Sequence, residues 1–216
     1  MTNRFFRVKH DSFTGRGKPW VGRIAHGMKL DPECPECGAD GRSPTGDLRG
    51  LLDLNRATHW PDAIGCGAYP LLIVSERVAE AWGATGDYPA HRIEFIDPIP
   101  TGLRGVTRPE YFWIDGSAMP GARLDFEASG YVGVHFCSTC GRRMDDISKT
   151  YDRQHSGVWP YAFVDGSWNG AHLFTTDLSP GVFFCSEDLA NISRQCCHTN
   201  LRFTPIEQGA LADWSA

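Results

Sequence analysis

A chain that carries Cys34-Pro35-Glu36-Cys37-Gly38 and, much later, Cys137-Ser138-Thr139-Cys140-Gly141 has few ways to fold. Two residues between the cysteines let both sulfurs turn to one side of a tight turn. A glycine after the second cysteine can take positive φ and free backbone N–H groups to point at the sulfur. One such knuckle supplies half a tetrahedron. Two supply Cys34, Cys37, Cys137 and Cys140, the closed ligand set of a structural zinc site. The halves of an ordinary zinc ribbon lie ~15–20 residues apart. Here the interval is several times longer, so a large part of the chain must leave the site and return to it. Paired redox disulfides and buried free thiols are the competing readings of the same four residues.

The remaining composition narrows the class. The chain has 216 residues, 41% hydrophobic and 22% charged, enough to bury a sizeable core in one or two domains. With Gly 24 and Pro 14, turns are frequent and the fold should be rich in strands. A formal charge of -5 argues against a nucleic-acid-binding surface and suits a basic protein partner. Met1 to Lys9 lack the apolar core of a secretory signal, and no run approaches a membrane span, so the expected location is the cytoplasm, with no membrane partner. In that reducing compartment paired knuckles read as metal ligands rather than as a disulfide framework.

Along the chain, Arg4-Phe5-Phe6-Arg7-Val8-Lys9 reads as a first strand and Ile24–Leu30 as a second, leading into the first knuckle. Ser43-Pro44-Thr45-Gly46-Asp47 reads as turn chemistry, and Thr14–Gly22 as a loop. The clearest unit follows. Leu71-Leu72-Ile73-Val74 is an apolar strand, Ser75 an N-cap, and Val78, Ala79 and Trp82 one face of a helix that Gly83 or Gly86 can stop. His91–Ile96 is the return strand, closed by Asp97-Pro98. The same grammar recurs in Val182–Cys185, the cap Ser186, a helix with Leu189, Ile192 and Cys196 on one face, and Leu201–Thr204 before Pro205. Each unit lies downstream of its own knuckle. The expectation is therefore an α+β, β-rich fold: one unit over 1–216, with degenerate halves 1–106 and 107–216 that each bring a strand-helix-strand unit and share a zinc-ribbon-like site of four cysteines. Between the units, Arg123–Glu127 and Tyr131–Phe136 read as an antiparallel hairpin bending at Ser129-Gly130, and Val158–Phe163 and His172–Phe174 as short strands. Gly209–Ala216 reads as a loose tail.

The N-terminal Arg4-Phe5-Phe6-Arg7-Val8 strand, the two Cys-x-x-Cys-Gly knuckles, Arg142, and the closing Phe183-Phe184-Cys185-Ser186-Glu187 to Phe203-Thr204-Pro205-Ile206 unit together resemble the myxobacterial double-CXXCG motif family. The resemblance covers nearly the whole length in layout. It departs at Ser138, where the family's second knuckle often has proline. Members are immunity proteins paired with polymorphic swarm-inhibition toxins. The resemblance thus implies a binder that neutralises a cognate toxin domain, not an enzyme.

Other residues have chemistry to offer. Cys196, Cys197 and His198 could form a second metal site, but adjacent side chains point apart, and with Cys66 and Cys185 these cysteines read as buried thiols. His135, two residues before Cys137, could replace a thiolate ligand. Arg142 and Arg143 could offset the charge of a four-thiolate site or be solvated. Asp145-Asp146 could be a solvated pair or an acidic contact, and Trp113, Trp159 and Trp168 interface anchors or core. No paired nucleophile and base, phosphate-binding glycine loop or hydrolytic zinc spacing stands out; Gly102-Leu103-Arg104-Gly105 lacks the context of a dinucleotide loop. Two other classes remain: a zinc-ribbon protein binding nucleic acid or a regulatory protein partner, and a thiol oxidoreductase. The last should start a helix at its first cysteine, where the dipole lowers the thiol pKa.

Overall fold

The computed structural model describes residues 4–10, 20–39, 41–53, 58–65, 71–85, 88–96, 99, 101–155, 161–176 and 179–206. Cys66, Gly86, Asp97-Pro98, Trp159, the tail from Gly209 and most of the Thr14–Gly22 loop lie outside them. In chain order the elements are β1 (Phe5–His10), β2 (Trp20–Asp31), β3 (Gly41–Asp53), β4 (Ala63–Ile64), β5 (Leu71–Ser75), α1 (Glu76–Gly83), β6 (Ala90–Phe95) and β7 (Tyr111–Asp115). There follow β8 (Pro120–Ala122), β9 (His135–Phe136), β10 (Arg143–Met144), α2 (Ile147–His155), β11 (Leu173–Thr176), β12 (Ser179–Ser186), α3 (Glu187–Gln195) and β13 (Leu201–Ile206). The fold is α+β and strand-rich. One sheet runs β2-β3-β6-β7-β5-β4, a second β13-β1-β12-β11-β8, and β9 and β10 form a two-stranded sheet.

Both strand-helix-strand units are present, and each is split. Strands β5 and β6 flank β7 and are antiparallel to it, so they run parallel to each other with a strand between them. Strands β12 and β13 flank β1 in the same way. The registers correspond: Ser75 stands opposite Tyr111 as Ser186 stands opposite Phe5. The hydrogen bonds around the helix starts correspond as well. Glu76 N–H donates to Glu110 O as Glu187 N–H donates to Arg4 O. Ser75 N–H donates to Asp62 O as Ser186 N–H donates to His172 O. Outside these, β4 pairs with β5 as β11 pairs with β12, both antiparallel.

The apolar runs are explained by burial on both faces. Leu72 and Val74 of β5 join a cluster with Val78 and Trp82 of α1, Phe183 and Cys185 of β12, and Leu189 of α3. Leu71 and Ile73, pointing the other way, pack with Leu48, Ile93 and Trp113. Phe184 joins a third, aromatic cluster in which its ring meets Phe163 edge-on at 5.1 Å. A strand buried on both sides has no polar face to write into the sequence. The helices touch each other, with Trp82 Nε1 donating to Ser193 Oγ at 2.7 Å in the interior.

Several expectations fail, each for a local reason. Residues 43–47 lie within β3: the β2–β3 register breaks between the His26–Arg49 and Met28–Pro44 pairs, so the turn residues kink the strand without ending it. Gly27, at φ +87, lies where a Cβ would strike the Asp47 backbone. Arg123–Glu127 does not pair with Tyr131–Phe136. Asp125 Oδ1 accepts the N–H of Ala128, and Ser129, Gly130 and Tyr131 N–H groups close a turn on 125–127, leaving a single bridge from Leu124 to Phe163. On α3 the buried residues are Leu189, Ala190 and Ser193, while Cys196 and Cys197 are exposed; only Cys185 is a buried thiol of the three.

Candidate metal centre

Each knuckle is the tip of a hairpin. The first joins β2 to β3, the second β9 to β10. Both tips are tied alike: Cys34 N–H donates to Ala39 O at 3.0 Å and Gly38 N–H to Cys34 O at 2.8 Å. Cys137 N–H donates to Arg142 O and Gly141 N–H to Cys137 O, each at 2.9 Å. Gly38 and Gly141 take φ of 66° and 68°. That left-handed turn is the one the glycine after each second cysteine makes accessible.

The tips meet like with like. Cys34 Sγ lies 3.6 Å from Cys137 Sγ, and Cys37 Sγ 3.7 Å from Cys140 Sγ. All four sulfurs are within 4.8 Å of one another. These cysteines are free, and the gaps are far longer than a disulfide bond. A tetrahedron with metal–sulfur bonds of about 2.3 Å has sulfur–sulfur edges of about 3.8 Å. The four-cysteine cluster can therefore hold a metal ion, and an all-sulfur tetrahedral set suits zinc or iron. Cys34 and Cys137 are buried, Cys37 is half-buried and Cys140 exposed.

The electrostatics show why such a cluster calls for a cation. The N–H groups of Cys37 and Glu36 hold the Cys34 thiol down at about 7. Cys137 is drawn down by the Cys140 N–H, but burial and the neighbouring Cys140 and Cys34 sulfurs win and push it up to about 12. Cys37 is raised in the same contest, with the Ala39 N–H opposing burial and the Cys34 and Cys140 thiols. Four adjacent thiolates repel one another; a divalent ion reverses that balance.

Two side chains cross between the tips: Glu36, which does not stand out from spacing, and Arg142, which the sequence offers only as a counter-charge or a solvated cation. Glu36 Oε2 accepts from Thr139 Oγ1 at 2.6 Å, Ser138 Oγ at 2.7 Å and Thr139 N–H at 3.1 Å. The Thr139 and Ser138 hydroxyls hold its carboxyl down at about 2. The readable signal was a carboxylate inside one knuckle and a Ser-Thr pair inside the other. In the opposite direction Arg142 reaches the base of the first hairpin, its Nη2 standing 3.4 Å from where a Cβ on Gly41 would lie.

The other flagged residues fall elsewhere. His135 Nδ1 lies 3.0 Å from Gly133 O, and the histidine is outside the sulfur cluster. Arg143 stacks over the Tyr131 ring at 4.2 Å and pairs with Asp145. Asp146 Oδ1 accepts the Lys149 N–H in the first turn of α2, and its partly exposed carboxylate pairs with the exposed Lys149 ammonium. Trp113 is core, and Trp168 Nε1 donates to Ala171 O beside the aromatic cluster. Among the described residues Cys196, Cys197 and His198 form no metal-ligand group. Neither Cys34 nor Cys137 begins a helix, so no helix dipole activates a first thiol. No described helix is long and apolar enough to cross a membrane. No protein-family model matches the chain, and no curated protein matches it.

Proposed function

We propose that this chain is an immunity protein that binds a cognate toxin domain and occludes its working surface, on a scaffold of two related halves locked by one structural zinc. The observation that carries the zinc is the sulfur geometry: like knuckles meet at 3.6 and 3.7 Å with no disulfide. An all-cysteine set without an open coordination position suits a structural rather than a catalytic metal. The immunity role rests on the resemblance of the knuckles, first strand and closing unit to the double-CXXCG family.

The matching strand orders, registers and hydrogen bonds at the two helix starts support the two halves. So does self-correspondence: Cys34 meets Cys137, and Trp82 meets Ser193, which stands as far beyond Ser186 as Trp82 stands beyond Ser75. Contacts between equivalent positions are those a pseudo-twofold axis passes through. In this reading the halves exchange their first strands, β1 completing the later sheet and β7 the earlier one.

The test of function is co-expression with the toxic polypeptide encoded beside this chain. Protection is expected, lost on Cys37→Ser through unfolding of the scaffold. Full killing in cells that contain soluble, zinc-loaded protein would overturn the immunity reading.

A further inference from the structure

Strand β3 lies parallel to β6 over only three residue pairs, from Leu48–Ile93 to Gly50–Phe95, and next to them the chain re-enters the sheet as β7. This junction leaves a cleft of about 420 Å³, within the ~300–1,000 Å³ range of ligand pockets. Its charged wall consists of Asp47, Arg49, Arg92, Glu94, Arg108 and Glu110. Four of these are mutually held: Arg49 Nε lies 2.8 Å from Glu94 Oε2, and Arg92 Nη2 lies 2.5 Å from Glu110 Oε1. Arg108 differs. Its guanidinium lies over the Phe95 ring at 5.9 Å and has no carboxylate partner among the described residues. A contact with a ring face does not neutralise a guanidinium, and a guanidinium with no carboxylate partner is suited to a bidentate carboxylate.

Three exposed apolar side chains lie on the segment that joins the Phe95 and Arg108 walls of the cleft. Ile96 directly follows Phe95 and is 45% exposed; Ile99 is 43% exposed; Val106, two residues before Arg108, is 49% exposed. A lone exposed aliphatic needs no explanation, but three on the one connection between two cleft-lining residues supply apolar surface of the kind interfaces use. From this we infer that the cleft between β3, β6 and the start of β7 is the docking surface for the toxin, and that its occupant is a toxin segment bearing a single carboxylate among apolar side chains. An acidic tract is disfavoured by Asp47, Glu94 and Glu110 on the same wall. The net charge of -5 governs long-range encounter; Arg108 governs the local fit. This inference rests on the immunity reading.

The experiment measures the affinity of the metal-loaded protein for the polypeptide encoded beside it, using wild type, Arg108→Glu, Val106→Asp and, on exposed α2 outside the cleft lining, Ile147→Asp. Metal content and melting temperature are recorded for each. Arg108→Glu and Val106→Asp should weaken binding on the order of 30-fold or more, as buried anchors do, while Ile147→Asp binds as wild type. Wild-type affinity in both cleft variants overturns the docking surface and leaves the immunity reading standing. No binding by wild type overturns both. A wild-type dimer that Arg108→Glu dissociates would make a second copy the occupant and overturn the inference.

Discussion

At the residue scale, Glu36 connects sequence to site most directly. It belongs to one knuckle, and its three hydrogen bonds belong to the other. Closing the tetrahedron and forming this clasp are therefore one event. Glu36→Gln keeps the shape but loses the charge that makes these bonds strong. The expected result is a folded protein that gives up its metal to a chelator more readily, by about 10-fold in affinity, as for other residues that orient ligands. Competition with a chromophoric chelator measures this, and an unchanged affinity would show the clasp to be idle. Ser75 teaches the opposite lesson about legibility. Its position before a helix reads as a cap, and its backbone is extended as a cap requires, but its side chain makes no capping bond. The hydroxyl donates to buried Asp62 at 2.8 Å, a carboxylate also held by Arg77 and Thr199. Ser186, in the same local sequence setting, does accept the Leu189 N–H. Local propensity names the residue, and only the tertiary partner decides where its oxygen goes.

At the element scale, the two strand-helix-strand units were legible because apolar runs, caps and helical faces agree there. What hid was pairing. Nothing local says that a strand enters between β5 and β6, or that it is β7, because inserted strands leave no mark on the segments they separate. The long β2–β3 hairpin hid behind its own turn residues, and Arg123–Glu127 alternates like a strand while Asp125 folds it into a turn. The α1–α3 contact offers a test of the packing. Removing the Ser193 hydroxyl leaves the Trp82 indole N–H buried without an acceptor. Ser193→Ala should cost about 1–3 kcal/mol, the penalty of an orphaned buried donor, with unchanged metal content. Denaturant unfolding reads the difference; a cost near zero would mean that the helices can shift to admit another partner.

At the scale of the whole molecule, the cysteine pattern was the strongest statement the sequence made, because four ligands at fixed spacing constrain a chain more than any single element does. Cysteines separated by 103 positions would make a bound metal the closure of a very long loop. A covalent bridge across about 100 residues would be worth about 4–5 kcal/mol, and a metal that binds only the folded chain acts in the same direction. Stripping the metal with a strong chelator under reducing conditions should lower the melting temperature by many degrees. Equimolar zinc should restore it. A metal-free protein that melts where the loaded one does would leave the cluster without a structural role.

The placement of β1 has a consequence for synthesis. Phe5 lies opposite both Ser186 and Ile206, so this strand has partners that are made much later. At ~5–20 residues per second, Phe6 and Val8 wait on the order of 10–40 seconds for the chain that buries them. During that wait the two side chains have no sheet partner on either edge. A chain stalled before β13 thus leaves β1 without the partner on its outer edge.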